Sequence, residues 1–109
     1  MKIKALCFFF FFLGLASVIQ AQTLSVDDPV SLEGDSSDSR SIVFTVTRSG
    51  DLEKTSTVKY KTANGTAFSG SDYEAKSGIL VFDFGVQEQT IEVRIYGDPI
   101  DENDETFFV

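Results

Sequence analysis

Residues 89–96 read Gln-Thr-Ile-Glu-Val-Arg-Ile-Tyr. Ile91, Val93 and Ile95 alternate with Thr90, Glu92 and Arg94, which puts apolar side chains on one face of an extended strand and polar ones on the other. No helix can bury that pattern, because its apolar residues would be spread around the whole circumference. The same alternation recurs on either side. Residues 41–48 (SIVFTVTR) place Ile42, Phe44 and Val46 on one face and Thr45 and Thr47 on the other. Residues 56–62 (STVKYKT) turn Val58 and Tyr60 inward and Lys59 and Lys61 outward. Residues 78–84 (GILVFDF) set Leu80, Phe82 and Phe84 against Ile79 and Val81, apolar on both sides, which predicts a strand covered on both faces. Residues 23–27 are a weak first strand, and residues 106–109 (TFFV) start a sixth.

Between the runs stand clusters of Gly, Ser, Asp and Asn: EGDSSDS, SGD, ANGTAFSGSD, DFG and GDPIDENDE. Short strands at this spacing predict an all-β, immunoglobulin-like antiparallel β-sandwich. The chain stops at Val109 inside an apolar run with no turn signal. A sandwich needs at least one more strand to close its second sheet, so the expectation is a fragment whose last strand or strands are missing.

The chain has 109 residues, 9 Lys+Arg against 17 Asp+Glu, one Cys and no His or Trp. Without histidine there is no imidazole base, no Ser-His or Cys-His nucleophile pair and no histidine-ligated metal. The basic residues form no stripe that would track phosphates, so nucleic acid is excluded as a partner. No small-molecule substrate and no catalytic activity are expected. Glu102 and Glu105 could in principle serve as the paired carboxylates of a glycosidase, but ion ligation or simple solvation is the better reading.

Residues 1–21 read as an export signal. Lys2 and Lys4 form a basic start, residues 5–19 (ALCFFFFFLGLASVI) carry no charge, and Ala21 is a small residue at a plausible cleavage position. The alternative is an uncleaved anchor, although Gln20, Gln22 and Thr23 cut the apolar part short. Cys7 lies in this segment. The expected domain is therefore 22–109, secreted or at the cell surface, with seven basic groups left against 17 acidic ones, a formal charge of −10. It has no disulfide to support it, so it depends on its core, its neighbours or bound ions.

Loop parity points to ions. In an antiparallel sandwich successive connections alternate between the two ends. The first, third and fifth connections hold Glu33, Asp35 and Asp38, then Asp72 and Glu74, then Asp98, Asp101, Glu102, Asp104 and Glu105. The second and fourth hold less acid: Asp51 and Glu53, partly offset by Lys54, and Asp83 and Glu88. Carboxylates gathered at one end repel unless a hard divalent cation joins them. Calcium, with six to eight oxygen ligands and tolerant geometry, suits such loops better than magnesium. The competing interpretation is that the acidic loops are merely solvated. Residues 98–105 lack the central glycine and length of an EF-hand.

Longer motifs then carry a resemblance. Glu33-Gly34, Arg48-Ser49-Gly50-Asp51, the run Tyr60-Lys61-Thr62-Ala63-Asn64-Gly65-Thr66-Ala67 continuing to Gly70-Ser71-Asp72-Tyr73, Gly78-Ile79-Leu80-Val81-Phe82, Ile95-Tyr96-Gly97-Asp98 and Glu102-Asn103-Asp104-Glu105-Thr106-Phe107 occur in order. From about Val30 onward the chain resembles a Calx-beta domain, the sandwich module of sodium–calcium exchangers, an integrin subunit and many large bacterial surface proteins. The resemblance implies calcium held at one tip. It implies Glu33, Asp72, Asp98, Glu102 and Glu105 as carboxylate ligands and Ile100 as a backbone-carbonyl ligand. Gly97 and Pro99 stand where exchanger-type domains carry further aspartates, and the acidic run that ends the family's last strand is absent, so one or two ions are expected. Affinities of roughly 0.1 to 1 mM are usual for extracellular modules.

The expected role is structural or adhesive, with calcium, neighbouring domains of the same polypeptide or other surface proteins as partners. A metal-independent spacer or protein-interaction module is the alternative, and carbohydrate binding ranks third. Asn64-Gly65-Thr66 fits a glycosylation acceptor but reads more simply as a turn pair with positive φ. Tyr60 and Tyr73 are expected to brace the sandwich. Phe107 and Phe108 should point to opposite faces, leaving at least one exposed.

Overall fold

The computed structural model describes residues 2–6, 22–32, 39–97 and 103–109. All of the regular structure among them is β: β1 Lys2–Leu6, β2 Thr23–Val26, β3 Val30–Leu32, β4 Arg40–Ser49, β5 Ser56–Lys61, β6 Ala63–Asn64, β7 Ser77–Phe82, β8 Glu88–Ile95 and β9 Glu105–Phe108. They pair in the orders β2-β4-β8, β3-β1-β9-β6 and β5-β7. Every pairing is antiparallel except that of β1 with β9.

The alternation read from the sequence is the alternation that packs. On β4, Ile42, Phe44 and Val46 are buried, and on β8 Ile91, Val93 and Ile95 are buried; Ile42 lies opposite Val93 and Phe44 opposite Ile91. Leu80 and Phe82 of β7 and Phe107 of β9 complete the same core with Ala67 and Tyr73. Burying each large apolar side chain contributes roughly 1.5–3 kcal/mol, so this one cluster is the main stabilising element. Phe107 joins the sheets: its ring meets Phe44 edge-on at 6.0 Å and stacks on Tyr73 at 4.3 Å.

Several expectations are corrected. Residues 78–84 are not covered on both sides. The strand ends at Phe82, and Ile79 (58% exposed) and Val81 (43%) lie on a face against which none of the described residues forms a packed layer. Phe84, expected beside Leu80 and Phe82, is 71% exposed beyond the strand end, where Gly85 turns the chain with φ 77°. The weak first strand is β2, which pairs with β4; β3, a short strand that the sequence reading did not name, follows Asp27-Asp28-Pro29 and joins the other sheet. β5 and β6 form nearly one strand that changes partner at Thr62, from β7 to β9. Phe107 is buried, and Phe108 is half-buried rather than exposed.

Asn64-Gly65 is not a positive-φ turn either. Among the described glycines Gly50, Gly70 and Gly85 have positive φ, and Gly65 does not. Gly65 serves close approach instead. A Cβ there would lie 2.4 Å from the Thr106 carbonyl oxygen and 3.0 Å from Phe108 Cε2. Lys2–Leu6, within the segment read as an export signal, forms β1; Cys7 and the rest of that segment lie outside the described residues.

Candidate metal site at the acidic tip

The strand registers sort the connections to two ends. Arg40 at the start of β4 lies opposite Ile95 at the end of β8, and Tyr73 bridges to the same Ile95. At the other end Thr47 faces Glu88, and Ser56 faces Phe82. The flanks of the acid-rich connections therefore meet at one tip, and the turns at Gly50 and Gly85 meet at the other.

The turn that carries Asp72 is built by its own side chains. Asp72 Oδ2 accepts the Phe68 N–H at 2.7 Å, and the Asp72 N–H donates to the Phe68 carbonyl at 2.9 Å. Gly70, at φ 94°, allows the reversal between them, and its N–H donates to the Tyr73 carbonyl at 2.8 Å. Asn64 fixes the turn to the sheet, because its Oδ1 accepts the Ser69 N–H at 2.9 Å and also the Tyr73 hydroxyl proton. Burial raises the Tyr73 phenol above its usual pKa, so the hydroxyl stays a donor through the neutral range. The Asp72 carbonyl then accepts the Tyr96 N–H at 2.9 Å, which ties the turn to the strand leading into residue 98.

β9 arrives beside this turn. The Ala67 N–H donates to the Thr106 carbonyl, and the Thr106 N–H donates to Thr66 Oγ1, both at 2.8 Å. Glu105 precedes Thr106, and its Oε2 is buried. A short backbone path, Glu105 to Thr106 to Ala67 to Phe68 to Asp72, thus brings the start of β9 and the Asp72 turn to the same tip. The Asp72 and Glu105 carboxylates are hard oxygen donors, the class that calcium takes.

Glu33, Asp98, Ile100 and Glu102, the other four residues that the resemblance implies, lie outside the described residues. Among the described residues no group of three or more Asp, Glu, Cys or His side chains comes close enough to hold a metal. Asp72 and Glu105 can supply part of a calcium shell, and the remainder would have to come from the loops that flank them.

The Calx-beta domain profile matches residues 20–109. The chain belongs to the Calx-beta domain family. This Calx-beta domain is 38% identical over 64 residues to the sodium/calcium exchanger Calx of Drosophila melanogaster and 45% identical over 64 residues to sodium/calcium exchanger 1 of Canis lupus familiaris. Each alignment covers 59% of this chain and 7% of the exchanger, so the chain spans a small fraction of the relatives it matches. Among solved structures it resembles the apo form of the Calx CBD1 domain, with a TM-score of 0.60 and 36% identity over 62% of this chain and 59% of that one. It also resembles the calcium binding domain CBD12 of CALX1.1, with a TM-score of 0.59 and 36% identity over 62% of this chain and 28% of that one. The likeness to both makes this Calx-beta domain a β-sandwich.

Two residues important to this geometry play roles that the sequence did not assign to them. Asn64 orients the Asp72 turn, where the sequence suggested a φ > 0 pair. Arg48 organises the opposite tip. It is fully buried, and its guanidinium donates to the carbonyls of Val86 (2.6 Å), Lys54 (2.6 Å), Asp83 (2.7 Å) and Leu52 (3.3 Å) and to Ser56 Oγ (3.2 Å). A signal was present: a lone Arg continuing the buried alternation of Ile42, Phe44 and Val46.

Proposed function

We propose that this chain is a non-catalytic calcium-binding module. In it Ca²⁺ joins the loop containing Glu33, the Asp72 turn and the segment from Asp98 to Glu105. The observation that supports this reading is that the Ala67–Thr106 pairing brings the Asp72 turn and the start of β9, where Glu105 stands, to the tip where β8 ends. Likeness to a calcium binding domain of CALX1.1 supports it. The ion would cancel carboxylate repulsion and cross-link loops that have no disulfide. The opposite tip is held without a metal, by Arg48 donating to both of its turns. The uncharged run 5–19 supports a place outside the cell, where millimolar calcium makes the ion structural and the role one of spacing or adhesion beside neighbouring domains.

The test is thermal unfolding of the chain in excess EGTA and in 1 mM Ca²⁺, with Mg²⁺ as control. For a dissociation constant of about 0.1 mM, linkage gives roughly 1.4 kcal/mol. In a domain this small that raises the melting temperature by roughly 5–10 °C. Asp72→Asn and Glu105→Gln should each remove most of the rise. An equal melting temperature with and without Ca²⁺ would leave a metal-independent spacer.

A further inference from the structure

The chain has two asparagines, Asn64 and Asn103, and only Asn64 is followed two positions on by Ser or Thr. Asn64-Gly65-Thr66 is thus its one acceptor sequence for an N-linked sugar. The positive-φ turn that would account for the Asn-Gly pair does not form, since Gly65 has no positive φ. What the Asn64 side chain does instead leaves its reactive atom free. The Ser69 N–H can only donate, so the amide atom that meets it at 2.9 Å is the oxygen. That oxygen also accepts the Tyr73 hydroxyl proton. Nδ2 is left with no hydrogen-bond partner among the described residues, and Asn64 is exposed on β6, the last strand in its sheet. A sugar on Nδ2 keeps both bonds to Oδ1, so the Asp72 turn retains its brace.

We propose that Asn64 is an N-glycosylation site, modified as the chain is exported and before β9 pairs with residues 63–67. The order follows from Thr66, whose hydroxyl a transferase must read. In the folded chain Thr66 Oγ1 accepts the Thr106 N–H at 2.8 Å and lies 3.4 Å from Thr106 Oγ1. The backbone on both sides is held as well: Asn64 pairs opposite Phe107, and the Ala67 N–H donates to the Thr106 carbonyl. Transfer therefore belongs to the extended, nascent chain. The donor is an oligosaccharide carried on a polyprenyl pyrophosphate. Asn64 Nδ2 bonds to C1 of the first sugar, the C1–O bond to the pyrophosphate breaks, the pyrophosphate leaves with the electron pair, and one amide proton passes to a base. This rests on the export part of the reading above and not on its calcium part.

The test translates the whole chain with and without endoplasmic-reticulum microsomes and then adds protease. The protease-protected product should be heavier by a single oligosaccharide, and peptide N-glycosidase should remove the increment. Asn64→Asp keeps an oxygen for Ser69 and Tyr73 but lacks the amide nitrogen, and it should abolish the increment. Thr66→Val should abolish it too, and Thr66→Ser should retain it. The readout is covalent mass, so no variant has to fold for the result to count. A protected chain without the increment, or an increment that survives Asn64→Asp, would overturn the proposal. So would a chain that the protease digests, because the export on which the proposal rests would then fail; the calcium reading keeps its own test in the EGTA melts. Chain folded first and then given to the detergent-solubilised transferase with lipid-linked oligosaccharide should gain at least tenfold less sugar than the nascent chain. Equal gain would refute the stated order of modification and β9 pairing.

Discussion

Replacing Arg48 by Met should cost about 3–5 kcal/mol, the penalty expected when one partner is removed from a buried charged network. Met keeps the unbranched stem and its apolar contacts but removes the guanidinium from above the Phe82 ring, where it lies 5.5 Å from the centroid. All five guanidinium N–H groups have acceptors, four carbonyls and one hydroxyl. Those carbonyls belong to the turns after β4 and after β7, so a single side chain holds the tip together. A hydrogen bond from a charged donor is worth about 1.5–3 kcal/mol net, but the five share one group and do not add. Some carbonyls will recover water, and Leu52 also accepts the Gly85 N–H at 2.8 Å, which keeps the loss below the simple sum. Against a total stability of about 5–15 kcal/mol the loss is large. Arg48→Lys retains the charge but not the planar fork, and should recover less than half of it. Urea unfolding followed by circular dichroism measures this. The midpoint should fall for Arg48→Met with the slope unchanged, while the calcium midpoint of the folded variant, set at the other tip, stays within twofold. A cost under about 1 kcal/mol would refute the reasoning, because the carbonyls would then be satisfied as well by solvent.

Gly65→Ala brings a Cβ to 2.4 Å from the Thr106 oxygen, so β9 must move; a loss of about 1–3 kcal/mol and a weaker calcium response are expected from paired melts with and without EGTA. Asn64→Ala leaves the Tyr73 hydroxyl and the Ser69 N–H without their shared acceptor, which should cost about 1–3 kcal/mol in the same melts. Tyr73 gives a pH signature. Burial raises its folded pKa above the ordinary value near 10, so its contribution is fully present below about pH 10 and is lost as pH rises through the folded pKa. Stability measured by urea unfolding should fall above that pH, and Tyr73→Phe should flatten the fall.

How much of this was legible in the sequence depends on the range of the interaction involved. At β4 and β8 the period-two pattern named the buried residues, since alternation is a property of the strand itself. The sorting of the connections between two ends was also readable, because antiparallel strands reverse direction at each connection whatever their contacts. At β7 the pattern misled. Both faces are apolar, and only the number of packed layers decides that Leu80 is buried and Ile79 open. Asp72 and Glu105 are candidates from motif order, but the approach of the segments that carry them depends on the Thr106 pairing with residues 66–67.

By itself, then, the sequence determined the all-β class, the inward faces of β4 and β8 and the end to which each connection runs, because each follows from local periodicity and chain direction. Tertiary structure alone decided the rest. Gly65 stands where β9 crosses against it, and Arg48 is buried because two turns aim carbonyls at one point. Those are contacts between residues far apart in sequence, and no local pattern encodes the distance between them.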